Sequence, residues 1–160
     1  MTETHSHQYR IFENTSFSSQ EFYETVKRAV AEKEYPNIKT SRVTYSEGTI
    51  VFGNREYLRI ERLSSTFDIC AAPFGKDYFI SWWTGEVPNV GRKVLASLPW
   101  FGPALASAMY GKGLYILDAE VVFRDSVNQI IEDAVAAATN GRGVRSIQQK
   151  QALTIPAKQN

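Results

Sequence analysis

The 160 residues, at 18.1 kDa, suit a single domain whose core needs neither a disulfide nor a metal to close. A formal charge of +1 excludes a global field drawing the chain to nucleic acid or membrane, so any such contact depends on a local patch. Cys70 is the only cysteine, which excludes an internal disulfide and a thiolate metal cage and fits a reducing compartment.

Residues 1–16 show no clear period and read as a polar N-terminal tail. The segment has no apolar core of the kind a secretory signal needs, so the expected location is cytoplasmic. From Ser18 the pattern changes. Ser18 and Glu21 form a capping box, and Phe22, Val26, Ala29 and Val30 recur at helical spacing, which predicts an amphipathic helix ending before Pro36.

Five strand-like runs follow: Ile38 to Ser46, Thr49 to Phe52, Arg55 to Leu63, Thr66 to Ala72 and Asp77 to Trp83. Glu47-Gly48, Gly53-Asn54, Ser64-Ser65 and Phe74-Gly75-Lys76 separate them. Connections this short make sequential neighbours antiparallel. In the fifth run Tyr78, Ile80 and Trp82 alternate with Phe79, Ser81 and Trp83, so both faces are apolar. Asp68 lies in an otherwise apolar run and needs a partner, which Arg59 or Arg62 could supply as a structural ion pair.

Val94 to Gly111 contains no charge, with Arg92 and Lys93 before it and Lys112 after it. Pro99 and Pro103 break the run into two pieces, each too short to cross a bilayer. The expectation is an apolar hairpin with Trp100-Phe101-Gly102 at its tip. It either packs on the sheet, dips into one leaflet of a membrane, or meets another protein surface. A second helix, capped by Asp118, is predicted to run to about Asn140 with Gly141 as its stop. The remainder is a polar tail.

The expected fold is therefore α+β: a five-stranded antiparallel meander flanked by an N-terminal helix and a longer C-terminal one. The apolar Pro-containing hairpin, at 88–113, lies between the sheet and the last helix. A single domain spans 17–140, with polar tails at 1–16 and 141–160.

The string Phe67-Asp68-Ile69-Cys70-Ala71-Ala72-Pro73-Phe74-Gly75, followed by Phe79-Ile80-Ser81-Trp82-Trp83, resembles a family of uncharacterised bacterial proteins. The order of elements over roughly 56–140 is similar too. The resemblance implies membrane association through a more hydrophobic counterpart of 94–111. Pro99, Pro103 and the many alanines depart from that pattern. No activity, cofactor or catalytic residue comes with it.

No catalytic constellation is recognisable. His5 and His7 lie in the N-terminal segment and read as solvated, and with no third histidine a Ser-His-Asp or Cys-His mechanism is not expected. Cys70 reads as a buried, inert thiol. Asn140-Gly141-Arg142-Gly143 follows a helix rather than opening one, so it reads as a stop and not a phosphate loop. No metal site, cofactor or nucleic-acid partner is expected. The leading expectation is a non-enzymatic cytoplasmic module, peripheral on the inner membrane face. It would contact an anionic membrane surface or self-associate through Leu98, Trp100, Phe101, Leu105 and Met109, helped by Arg92, Lys93 and Lys112. The alternatives are an interaction subunit of a larger assembly, and a small-ligand or enzymatic domain with a pocket at Asp68, Tyr78, Trp82 and Trp83.

Overall fold

A computed structural model describes residues 3–46, 54–86, 113–139 and 146–155. The elements run β1 (Glu3–Phe12), α1 (Ser19–Glu32), β2 (Ile38–Ser46), β3 (Asn54–Arg62), β4 (Ser65–Phe74), β5 (Asp77–Glu86), α2 (Leu114–Thr139) and β6 (Ser146–Ile155). All strand pairs are antiparallel, in the order β2-β3-β4-β5-β1-β6. The chain is thus an α+β protein: an antiparallel sheet with a short first helix and a longer last one.

Local chemistry accounts for most of these elements. The Ser18 hydroxyl accepts from the Glu21 amide at 3.2 Å and starts α1. Phe22, Tyr23, Val26 and Val30 face inward from that helix. Past its end, Glu34 and Asn37 take positive φ and turn the chain into β2. Leu63-Ser64 connects β3 to β4, one residue earlier than expected, and Leu63 sits at φ 52. Gly75-Lys76 connects β4 to β5 with Gly75 at φ 65, the left-handed value a two-residue hairpin loop uses.

Both helices cover one face of the sheet. The core joins Phe22, Val26 and Val30 of α1 and Phe123, Val127 and Ile131 of α2 to Leu58, Ile60, Phe67, Ile69, Ile80 and Trp82 of the sheet. Edge-to-face contacts of Phe123 with Phe67 at 6.1 Å and with Tyr35 at 5.9 Å lock α2 down.

Two expectations about the termini are corrected. Residues read as a tail form β1, seated between β5 and β6 with Arg10 opposite Ile80 and Phe12 opposite Tyr78. The inward positions explain why the pattern was hidden. Phe12 is buried, but so is Arg10, at 3% exposure, and an inward arginine breaks the apolar alternation. Its guanidinium bonds Glu132 of α2, donates to the Tyr9 carbonyl at 2.9 Å, and lies 5.2 Å from the Trp82 ring centre. The C-terminal segment likewise contains β6, a polar strand paired along β1 from Glu3 to Phe12. The expected strand over Thr49–Phe52, the Glu47-Gly48 turn before it and the stop at Gly141 lie outside the described residues, but Asn54, expected in the next turn, opens β3, and β3 pairs directly with β2 from Ser46–Asn54 to Ile38–Arg62, so the expected strand does not stand between them.

Candidate functional site

The expected contact residues Arg92, Lys93, Leu98, Trp100, Phe101, Leu105, Met109 and Lys112 all lie outside the described residues. The chain is described again from Gly113, and there the structure adds something the sequence reading missed. Helix α2 begins at Leu114, four residues before the expected cap Asp118. Its first turns expose Leu114 (81%), Tyr115 (84%), Ile116, Leu117, Val121 and Val122.

The geometry of α2 explains that exposure. At 100° per residue, Phe123, Val127, Ile130, Ile131 and Ala134 form the stripe that meets the sheet. Glu120 shares that side and accepts a 2.9 Å hydrogen bond from the Ser64 hydroxyl at the β3–β4 turn. The Tyr35 hydroxyl donates to Ser126 at 2.7 Å. Leu114, Tyr115, Leu117, Val121 and Val122 lie around the opposite side and point away from the core. Ile116 has the angular position of an inward residue yet is exposed, so the first turn overhangs the packed layer. Asp118 is also exposed and sits amid this apolar surface. The signal was present in the sequence: Leu114-Tyr115-Ile116-Leu117 extends the charge-poor run past Lys112.

The four expected pocket residues are not brought together. Alternation along β5 puts Tyr78 and Trp82 on the helix-covered face and Trp83 on the other. The Tyr78 hydroxyl bonds that of Ser19 at 2.5 Å, and the Trp82 indole donates to the Asn128 side-chain carbonyl at 3.0 Å. Burial pushes the Tyr78 phenol above its ordinary range. Asp68 stands opposite Trp83 on the outer face. There it takes two 2.7 Å bonds from Arg59 and one of 2.8 Å from Tyr45. Of the two arginines weighed as partners for Asp68, Arg59 is the one used; Arg62 instead donates to the Pro36 carbonyl at 3.2 Å. A carboxylate held by a bidentate guanidinium and a phenol reads as structural.

The outer face has its own apolar surface. His7, Tyr9 and Ile11 of β1 stand beside Phe79, Ser81 and Trp83 of β5, in register Ile11–Phe79, Tyr9–Ser81 and His7–Trp83. The His7 ring stacks on Trp83 at 4.1 Å, so His7 is not the solvated tail residue expected from the sequence. Burial lowers its pKa below the usual histidine value. A shallow cleft of about 360 Å³ opens here, with Phe74 at its rim. Cys70 of β4, in register with Ser81, is buried, and that burial raises its thiol pKa. An un-ionised, enclosed thiol is a poor nucleophile.

Among the described residues no group of histidine, cysteine or carboxylate side chains could hold a metal ion, and no helix is long and apolar enough to cross a membrane. No family model, curated protein or solved structure matches the chain.

Proposed function

We propose that this chain is a non-enzymatic interaction module that docks on a protein surface through the outer side of the first turns of α2. One observation carries the reading: five large apolar side chains, Leu114, Tyr115, Leu117, Val121 and Val122, are exposed on the outward side of the first turns of the helix. Leaving such surface wet forgoes about 25 cal/mol per Å², and contiguous exposed apolar patches mark interfaces. The exposed carboxylate of Asp118 favours a protein partner, since a protein can offer it a cation or a donor, whereas an anionic bilayer repels it. The partner is another subunit of an assembly or a second copy of the chain.

A second reading, contact with a membrane surface, is favoured by the sequence from Val94 to Leu117, where Lys112 is the single charge and Arg92 and Lys93 immediately precede the run. Two measurements separate the readings. The dye 8-anilinonaphthalene-1-sulfonate fluoresces on exposed apolar surface. Wild type is expected to light it up, and Val121→Lys/Val122→Lys to lose most of the signal at unchanged far-UV circular dichroism. Equal fluorescence from both proteins, in a chain that light scattering shows to be a monomer, means the patch is covered within the chain itself and ends the docking reading. Co-sedimentation with vesicles containing anionic lipid is the second arm. Protein that pellets with vesicles, and is released by Trp100→Asp/Phe101→Asp, makes the membrane the partner.

A further inference from the structure

Strand β6 is the last strand of the sheet. It pairs along one edge with β1 over all ten of its residues, Ser146 to Ile155, and among the described residues no strand pairs with its other edge. An edge strand presents a row of unpaired N–H and C=O groups, and sheets ordinarily guard such edges with charge, proline or brevity. The opposite edge, β2, has Lys39 and Arg42, and Arg42 is tied back toward α1 and β3 by Glu24 and Glu56. By contrast β6 is ten residues long, has no proline, and Lys150 is its single charge. From this edge we infer that two copies of the chain join β6 to β6 in an antiparallel pair, making one continuous sheet across a two-fold axis.

Pairing geometry narrows the register. In an antiparallel ladder each residue points both its N–H and its C=O to one side, and successive residues point to opposite sides. Half of the β6 residues spend those groups on β1, and the alternate half point outward. Two copies of β6 can therefore oppose only residues of the same parity, and the two-fold axis must pass through a residue position. An axis at Lys150 sets two like charges directly opposite, which is destabilising. An axis at Gln151 pairs positions 147 through 155. It opposes Ile147 to Ile155, Gln149 to Leu153 and Lys150 to Ala152. This register keeps as many opposed positions as the Lys150 register and avoids the lysine pair. Self-complementarity of this kind is what an isologous contact requires and selects a second copy as the occupant. A two-fold axis normal to the sheet also puts both helix layers on the same face, so the two α2 patches look the same way.

The test uses the full chain. Light scattering after size exclusion is expected to give twice the 18.1 kDa chain mass for wild type. Gln151→Lys, which sets two cations on the axis, is expected to halve it with an unchanged circular dichroism spectrum. Across antiparallel partners the Cα atoms lie about 4.5–5.5 Å apart, within disulfide reach. Gln151→Cys is therefore expected to form a covalent dimer on mild oxidation, whereas Gln148→Cys, opposed to Thr154, stays a single chain. Cys70 is buried and does not compete. A monomeric wild type overturns the inference. So does a dimer that crosslinks through position 148 and not 151. If Gln151→Lys unfolds, the cysteine pair decides alone. The edge does not rest on the α2 reading: a dimer lost in Val121→Lys/Val122→Lys and kept in Gln151→Lys forms through the helix and refutes the β6 contact.

Discussion

Replacing Glu132 with alanine tests why the first strand sits inside the sheet. The Arg10 side chain is 4% exposed, and its ion-pair partner Glu132 is 33% exposed. The guanidinium keeps its bond to the Tyr9 carbonyl and its place over Trp82, but it loses its counter-charge, and its Nε has no partner among the described residues. Breaking a fully buried pair costs about 3–5 kcal/mol. The partial exposure of Glu132 lets water recover part of that loss, so Glu132→Ala is expected to destabilise by about 2 kcal/mol. For a chain of this size that corresponds to roughly 4–8 °C in Tm. Urea titration followed by tryptophan fluorescence measures it, with an unchanged m-value showing that the transition is the same. Arg10→Met/Glu132→Leu removes both charges and keeps most of the volume, so it is expected to lie within about 1 kcal/mol of wild type. A loss below about 0.5 kcal/mol for Glu132→Ala, the range of an ordinary surface change, refutes the claim that this pair fixes β1. A double variant no more stable than Glu132→Ala alone does so too.

Burial lowers the pKa of His7 below 6.5, so the folded state prefers the neutral ring. Its contribution to stability is present above pH 6.5 and is lost as pH falls from there through the lower folded value. Denaturation midpoints across that window should drop with acid in wild type and lose this component in His7→Phe. Asp68→Asn removes the charge from a bidentate contact that is only partly shielded, and is expected to cost about 1–2 kcal/mol by thermal melting. It should also lower the spectrophotometric pKa of Tyr45, which burial first and the Asp68 hydrogen bond second hold up. Gly75→Ala forces a side chain into φ 65 and should cost roughly 1–2 kcal/mol although the space around the glycine is open. A loss near zero there would show that the β4–β5 turn relaxes.

Elements governed by local chemistry were legible from the residues alone. Ser18 and Glu21 start α1, the short connections make β3, β4 and β5 antiparallel neighbours, and the stripe from Phe123 to Val135 places the long helix. The residues also pointed to Arg59 as one of two partners for Asp68, because neighbouring strands bring positions nine residues apart into register. The place of residues 3–12 depends instead on long-range packing. The pairing of 6–12 with 78–84 joins the two ends of a long loop, and their inward arginine becomes tolerable only when Glu132 arrives from the last helix. The same holds for the contact surface. Leu114, Tyr115, Val121 and Val122 look like core residues in a sequence, and only the rotation of α2, held by Phe123 and Glu120, turns them outward. Burial is a property of the assembled layers: the stripe from Phe123 to Val135 names the side of the helix that packs, but only the packed layers leave the apolar residues of its first turns uncovered.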